Sequence, residues 1–335
     1  MKKQFQHFIE KRTWNTILRR ALFGGVVLII ISGLMYSSFF GPIEKKASRE
    51  QYVIAPGTSV VDLAYDLKSK GIIKSPLALR IALSSKLFGS EVRGGAYEVG
   101  RGMDTWAIAE TLASTPYLAY VSFDAGLRKE QIAHLLQKEL SWSRQEKEDF
   151  LKAIANSSSD FQEGTYYPGV YLIAADVAPA EIAKRMRDKF LDEFEPYAKI
   201  AKEKGINWKD VVILASLIER EAGRNDKALV SGILWNRLDH GMRLQVDASL
   251  QYIKGSEGLW WPIPRSEDKF LSSPFNTYQH VGLPPEPISN PGTASIAAAV
   301  SPEETNCLYY LHAKGQIYCS ANYGGHKANI NRYLK

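Results

Sequence analysis

The feature that most constrains this chain is an uncharged apolar stretch near its amino terminus. Residues 21–40, ALFGGVVLIIISGLMYSSFF, contain no charged side chain. At a rise of ~1.5 Å per residue, a helix of this length spans about 30 Å, which is the thickness of the hydrocarbon core of a bilayer. The stretch therefore predicts one transmembrane helix, with the folded part of the chain on one side of it.

The charges that flank this stretch predict its orientation. The formal net charge is +6 over 335 residues, and residues 1–20 carry most of it, because six Lys and Arg face only Glu10 there. Basic flanks stay in the cytoplasm, so we expect residues 1–20 as a cytoplasmic tail, 41–50 as a linker and the rest in the periplasm of a bacterium. A cleaved signal peptide is the alternative, but SSFFGPIEKK offers no small-x-small cleavage site. The locally basic charge does not indicate a nucleic-acid partner.

Four copies of a strand-turn-helix pattern follow the linker. Each copy turns at a Gly or Asp and then has an aliphatic residue, an Ala and a Leu or Met on one helical face. These predicted core residues are Leu63, Ala64 and Leu67; Ile108, Ala109 and Leu112; Ile132, Ala133 and Leu136; and Ile182, Ala183 and Met186. Thr58, Ser59 and Asp104 suit helix N-caps. The pattern predicts small α+β modules in residues 51–115 and 116–195.

A helix that is apolar on all sides is predicted in residues 207–223, NWKDVVILASLIEREAG. Asn207 can cap its start and Gly223 can end it, and the eight residues VVILASLI between them carry no charge. Such a helix is buried. The next segment, DKALVSGILWNRLDHG, predicts a second helix antiparallel to the first. With a C-terminal hairpin, this pair predicts a mixed α/β domain in residues 196–335 and an α+β chain overall.

Two carboxylates stand at the end of the first helix. Glu219 and Glu221 lie about 160° apart around the axis, so they cannot both point into one site. Glu219 shares its side of the helix with Val212 and Ser216, and an acid in such apolar surroundings is favoured as a proton donor. The alternative is a structural ion pair with a nearby arginine, namely Arg220, Arg224 or Arg243. Glu221 is expected to be solvated or salt-bridged.

Aromatic, amide and carboxylate side chains follow in three loop-like segments. Rings that stack on sugar faces and amides that bond to hydroxyls suit a saccharide groove, although Trp residues in such loops also serve packing. The candidates are Gln245 and Asp247 on an irregular or strand-like segment, Trp260 and Trp261, and Asn276, Tyr278 and His280.

The two cysteines lie close together near the carboxyl terminus. LYYLHAKGQIYC predicts a hairpin around Lys314 and Gly315, which places Tyr310 opposite Cys319. Cys307 is then out of register, so free thiols are preferred over a disulfide, although an oxidising compartment would permit the bridge. Without Cys or His clusters at ligand spacing, we expect no metal site, and no cofactor is implied.

The order of the motifs SLIEREAG, NRL-x3-MRLQ-x-D and PFNTY-x3-GLPPEPISNPG-x2-S resembles the YceG-like family of endolytic murein transglycosylases. YVIAPGTS, GIIKSP and GGAYEVGRGM resemble its LysM-like modules. The resemblance implies a single-pass inner-membrane enzyme that acts on peptidoglycan glycan strands near peptidoglycan synthases. It puts the catalytic glutamate at Glu219 and gives a groove role to Gln245, Asp247, Asn276 and Tyr278. The chain departs from the family at EGTYYPGVY, where Gly169 replaces an acid, and in the insert LWWPIPRSEDKF.

The resemblance also implies a mechanism that needs one carboxylate. Glu219 would protonate the glycosidic oxygen, and the C6 hydroxyl of N-acetylmuramic acid would attack C1 to leave a 1,6-anhydro end. Two alternatives stay open. One is an inverting muramidase in which Asp247 activates water. The other is a membrane-anchored peptidoglycan-binding scaffold without catalysis.

Overall fold

The computed structural model describes residues 22–87, 92–157, 160–174, 176–223 and 225–334. The chain divides into two compact units, and the boundary in sequence falls between Tyr120 and Val121. Both units contain helices and strands, so the predicted mixed α+β class is confirmed.

The first described element is the apolar helix α1, Leu22–Phe40. It has 19 residues, a mean hydropathy of 2.0 and no buried share. It is long and apolar enough to cross a membrane, a property that a signal sequence shares. The predicted apolar helix is thus confirmed from Leu22 onward, while the basic tail of residues 1–20 and residue 21 lie outside the described residues.

The rest of the first unit is a small sheet with three helices. Tyr52 lies opposite Tyr97 where the first two strands pair antiparallel, and Ala96 lies opposite Leu118 where the second strand pairs with the third. The elements are β1 (Glu50–Ile54), α2 (Val60–Ser69), α3 (Pro76–Leu87), β2 (Gly95–Val99), α4 (Thr105–Ala113) and the start of β3 (Leu118–Phe123).

The second unit contains the end of β3 and all later elements. Its helices are α5 (Lys129–Glu139), α6 (Arg144–Ala155), α7 (Pro179–Glu203), α8 (Trp208–Glu221), α9 (Lys227–Asp239), α10 (Asp247–Lys254), α11 (Thr293–Val300) and α12 (Tyr323–Tyr333). Its further strands are β4 (Gly169–Ala174), beside β3, and the hairpin β5 (Tyr309–Ala313) and β6 (Gln316–Ser320). The predicted region 116–195 therefore lies mostly in the same compact unit as α8.

The strand-turn-helix pattern is confirmed by burial. All twelve predicted core residues, on α2, α4, α5 and α7, are buried. Ser59 and Asp104 cap their helices by accepting hydrogen bonds from the backbone N–H groups of Asp62 and Ala107. Thr58 is not a cap, because its hydroxyl donates to the Ala55 carbonyl instead.

Helix α8 lies in the centre of the second unit. Asn207 caps it by accepting from the Lys209 N–H at 3.0 Å. Every residue from 211 to 218 is buried against a core to which α7, α9, α10 and α11 contribute. Full burial of each Val, Leu or Ile contributes roughly 1.5–3 kcal/mol, so α8 is a firmly held support for the acids at its end. It ends at Glu221, two residues before the predicted stop at Gly223.

The C-terminal hairpin has the predicted register but not the predicted thiols. Lys314 and Gly315 form its turn with positive φ, and Tyr310 lies opposite Cys319. Cys307 and Cys319 nevertheless form a disulfide, with their Cα atoms 5.8 Å apart. The expectation of free cysteines was wrong because Cys307 precedes the ladder, where the pairing register no longer fixes its distance from β6.

Candidate active site

Glu219, in the last turn of α8, is held by three donors. Its Oε1 accepts from Lys227 Nζ at 2.9 Å, and its Oε2 accepts from Ser295 Oγ at 2.7 Å and from the Gly292 N–H at 3.0 Å. Lys227 Nζ also donates to Ser295 Oγ at 2.7 Å. The three side chains therefore close a ring that fixes both carboxylate oxygens, while 14% of the Glu219 side chain remains exposed.

The ring differs from the apolar surroundings predicted for Glu219. Lys227 enters from α9 and Ser295 from α11, and both helices pack on α8. The ion-pair partner is Lys227 rather than Arg220 or Arg243, and Arg224 lies outside the described residues. The apolar residues of α8 lie below the carboxylate and support it, whereas its oxygens are surrounded by donors.

The close pair of Ser295 and Lys227 invites comparison with a serine nucleophile and its lysine base. The Ser295 side chain is fully buried, and its single proton is donated to Glu219. A nucleophile must reach substrate and give its proton to a base. Ser295 is therefore a positioning residue for Glu219, and the ring is organised around the carboxylate.

A second network holds the loop that brings Gly292 to Glu219. The Asn290 side chain donates to Glu163 Oε1 at 2.5 Å and to the Leu127 carbonyl at 3.0 Å. Glu163 is fully buried, and its carboxylate accepts a hydrogen bond from the backbone N–H of Lys129, which is the first residue of α5. Burial raises the pKa of Glu163 to about 7, although Lys129 opposes this change. This buried acid ties α5 to the segment that carries Gly292.

Glu221 has a different environment from Glu219, as the helical geometry predicts. It is not a solvated end-of-helix acid, because its carboxylate accepts from the Ala248 N–H and from Tyr310 Oη, each at 3.0 Å. Desolvation raises its pKa above the usual value. We assign Glu221 to the junction of α8 with α10 and the hairpin.

The predicted groove residues occupy three different settings. Asp247 is the first residue of helix α10, so the prediction that it lies on an irregular or strand-like segment was wrong. Its carboxylate accepts a hydrogen bond from Tyr278 Oη at 2.6 Å. Gln245 is exposed at a positive φ of 50°. Asn276 is fully buried and its amide donates to the backbone of Lys269 and Leu271. Asn276 therefore shapes its loop and has no surface to offer a substrate.

The two tryptophans also differ from each other. Trp261 packs against the core, its Nε1 donates to Gln131 at 3.1 Å, and the guanidinium carbons of Arg128 and Arg220 lie 4.3 Å and 3.9 Å from its ring centroid. Trp260 lines a cavity of about 510 Å³ beside α5 and α6. Packing thus accounts for Trp261.

Sequence reasoning missed the residues that hold Glu219. Lys227 stands at the start of the second predicted helix, and Ser295 and Gly292 belong to the motif SNPG-x2-S, whose pattern alone indicates no role for them. Glu163 opens EGTYYPGVY. A Gly and a Ser close behind a Pro in a loop are a usable signal, but nothing local indicates which acid they face.

Comparison with known proteins matches this chain to one family. The profile of the YceG-like family matches residues 52–332. An endolytic murein transglycosylase of Bacillus subtilis is 28% identical over 333 residues, covering 92% of this chain and 91% of its own. One of Streptococcus pneumoniae is 23% identical and covers 92% of this chain, which spans only 64% of that relative's length.

A solved structure has the same fold. A crystal structure of a putative yceG-like protein from Listeria monocytogenes superposes with a TM-score of 0.65 at 25% sequence identity. The match covers 84% of this chain and 98% of that one. The likeness therefore extends well beyond one motif.

Proposed function

The chain belongs to the YceG-like family, and from this premise we propose that it is an endolytic murein transglycosylase. It cleaves the β-1,4 bond between N-acetylmuramic acid and N-acetylglucosamine within nascent glycan strands and leaves 1,6-anhydro ends. The observation that carries the proposal is one partly exposed carboxylate, Glu219, oriented by Lys227, Ser295 and the Gly292 N–H at the end of a buried helix. The names of the Bacillus and Streptococcus relatives support the same activity.

The proposed reaction proceeds in two proton transfers at Glu219. The protonated carboxyl donates its proton to the glycosidic oxygen as the bond from C1 to that oxygen breaks. The C6 hydroxyl oxygen of the same muramic acid then bonds to C1, and its proton passes to the Glu219 carboxylate. Because the nucleophile belongs to the substrate, its effective concentration is high and no water is consumed.

A reaction with an internal nucleophile needs only one enzyme carboxylate. In the described part of the chain, the hydrogen-bond partners of Glu219 are Lys227, Ser295 and the Gly292 backbone, with no second acid among them. Asp247, the base of an inverting muramidase, bonds to Tyr278 instead. A nucleophile supplied by the substrate accounts for the single acid in this network without giving Asp247 the role of a base.

The rest of the chain fits the proposed role at a membrane. Helix α1 serves as a single inner-membrane anchor with a cytoplasmic amino terminus, which places the second unit beside newly made strands. The LysM-like region of the first unit supplies a surface for glycan or for a peptidoglycan synthase. Of the groove candidates, Gln245, Asp247 and Tyr278 are retained as substrate contacts.

The test compares two isosteric substitutions on one helix. Glu219→Gln removes the transferable proton at the proposed site, whereas Glu221→Gln keeps an oxygen for the Ala248 N–H. Loss of general acid–base catalysis typically costs 10²–10⁴-fold in rate, so we expect cleavage of purified peptidoglycan strands by Glu219→Gln to fall on the order of 10³-fold. Glu221→Gln should stay within roughly fivefold of wild type, given the ~1 kcal/mol of a single hydrogen bond.

Each contrary result has a distinct meaning. Full cleavage by Glu219→Gln would remove the carboxylate from the mechanism. A wild-type protein that binds strands but never cuts them would support the scaffold. Equal losses in both variants would indicate that the substitutions had disturbed helix α8. The thermal unfolding midpoints of the two variants show whether such a disturbance has occurred.

A further inference from the structure

The residue after Glu219 has unused hydrogen-bonding capacity. Arg220 is half-buried, and its guanidinium carbon lies 3.9 Å from the centroid of the Trp261 ring. Among the residues that the structure describes, it forms neither a hydrogen bond nor an ion pair, and its Nε is shielded from solvent without a partner. A shielded Nε without a partner is costly unless a ligand accepts from it.

The other buried arginines of the second unit bond to backbone carbonyls through their guanidinium groups, although Arg128 Nε, like Arg220 Nε, has no partner among the described residues. Arg128 donates to the carbonyls of Gln251, Tyr252 and Trp260, and Arg237 donates to those of Leu308 and Leu244. Both side chains hold the backbone together. Among the described residues, Arg220 stacks on Trp261 and interacts electrostatically with Glu219 and Glu221 but forms no hydrogen bond, so its N–H donors remain available.

The loop facing Arg220 keeps that position open. Gly126 has a φ of 86°, and a Cβ there would lie 3.2 Å from Arg220 Nη1 and 3.6 Å from Glu219 Cγ. The Gly126 N–H donates to the Asn290 carbonyl at 2.8 Å, which fixes the glycine in place. A side chain at position 126 would therefore press on the Arg220 guanidinium and on Cγ of Glu219, which the glycine avoids.

The positive charge of Arg220 determines which ligands this position can bind. Glu219 lies beside Arg220 in sequence, yet its oxygens are already engaged by Lys227, Ser295 and Gly292. A planar guanidinium presents paired N–H donors that match the two oxygens of a carboxylate, and such charge-assisted pairs are the strong ones. The position suits an anionic group a short distance from the bond that Glu219 acts on.

We propose that Arg220, held against Trp261 beside Gly126, binds a carboxylate of the substrate and so positions the muramic acid residue for cleavage. This inference rests on the proposed function, because it places the carboxylate on a glycan strand. Two sources share this chemistry: the side-chain and terminal carboxylates of the attached peptide, and the lactyl carboxylate that is freed when an amidase removes the peptide.

Binding without turnover tests the site separately from the reaction. Full-length Glu219→Gln and Glu219→Gln/Arg220→Met proteins in detergent are titrated with peptide-bearing strands, with the same strands after their carboxylates are converted to amides, and with amidase-treated strands. Met keeps an apolar stem on Trp261 but has no donors. Matching thermal unfolding midpoints of the two proteins exclude a folding defect.

The proposal expects Glu219→Gln to bind the carboxylated strands on the order of tenfold more tightly than the amidated strands, and Arg220→Met to abolish this difference. Tighter binding of peptide-bearing strands assigns the carboxylate to the peptide, and tighter binding of amidase-treated strands assigns it to the lactyl group. Equal losses on carboxylated and amidated strands, or no loss, would overturn the proposal. Cleavage by the wild-type protein is measured separately. If the wild type did not cleave strands but Glu219→Gln still bound carboxylated strands more tightly than amidated ones, only the transglycosylase activity would be rejected.

Discussion

At the scale of single residues, the orientation of Glu219 depends on one buried hydroxyl. Ser295 gives its only proton to Glu219 Oε2 and accepts from Lys227. Ser295→Ala removes this link and leaves the carboxylate held by Lys227 and the Gly292 N–H alone. We expect kcat on peptidoglycan strands to fall about tenfold, as for loss of a hydrogen bond to a charged group, with KM nearly unchanged.

Ser231 supplies a matched control for this substitution. It is as fully buried as Ser295 and lies on α9, but its hydroxyl has no partner among the described residues. Ser231→Ala should therefore leave both kcat and stability close to wild type. If the two variants had the same kcat, Ser295 would be no more than a packing residue.

Glu163 makes stability depend on pH in a direction that can be stated in advance. Its pKa in the folded chain is raised from 4.5 to about 7 by burial. The protonated acid is favoured in the folded state, so its contribution is fully present below pH 4.5 and is lost as pH rises through about 7. A tenfold change in an ionisation constant corresponds to ~1.4 kcal/mol, so this contribution to the free energy of unfolding is roughly 3 kcal/mol.

The measurement compares wild type with Glu163→Gln, which cannot titrate. Free energies of unfolding of the full-length proteins in detergent are determined across this pH range. The difference between wild type and Glu163→Gln should become less favourable to wild type as pH rises. Parallel profiles would mean that Glu163 is equally ionised in the folded and unfolded chains.

At the scale of elements, the buried Arg128 connects α5 to the end of α10. Its guanidinium donates to Gln251, Tyr252 and Trp260 carbonyls at 2.9, 3.0 and 2.6 Å. Arg128→Met leaves these carbonyls without their charged donor, and we expect the free energy of unfolding to fall by about 3 kcal/mol.

An exposed arginine tests whether the expected loss of stability in Arg128→Met depends on burial. Arg144 pairs with Glu148 one helical turn away on the surface of α6. Arg144→Met should change the free energy of unfolding by less than about 0.5 kcal/mol. Chemical denaturation measures the free energy of unfolding of both variants. Comparable decreases in the two variants would contradict the role given to the three carbonyls.

Elements whose pattern is local were predictable from the sequence. The apolar helix α8, its Asn207 cap and the trios on α2, α4, α5 and α7 follow from helical periodicity, and the structure buries them as expected. The two-residue turn at Lys314 and Gly315 follows from hairpin chemistry. Asp247 was misplaced on a strand-like segment because the short helix α10 has no cap residue before it, only Val246.

The site itself was predictable only in its central residue. Glu219 stands out locally as an acid after eight uncharged residues, but Ser295, which orients it, is 76 residues further along the chain. The disulfide was missed for a related reason, since it joins a residue outside the ladder to one inside it. Such long-range contacts are decided by how helices pack, which sequence periodicity does not encode.

At the scale of the whole molecule, separate features are consistent with action outside the cytoplasm. The helix Leu22–Phe40 is apolar enough to cross a membrane, and the second unit contains a disulfide, a bond that persists in oxidising compartments. Both features agree with the membrane-anchored location outside the cytoplasm that we propose. The account therefore depends most on the chemistry performed at Glu219.

The most direct test is to identify the new ends formed when the full-length protein cleaves peptidoglycan strands in ¹⁸O-water. After borohydride reduction, mass spectrometry distinguishes anhydro ends from reducible ones. The account predicts 1,6-anhydro ends without ¹⁸O, because the attacking oxygen is the substrate's own C6 hydroxyl. Reducible ends that carry ¹⁸O would contradict it, since water would then be the nucleophile and the protein a hydrolase.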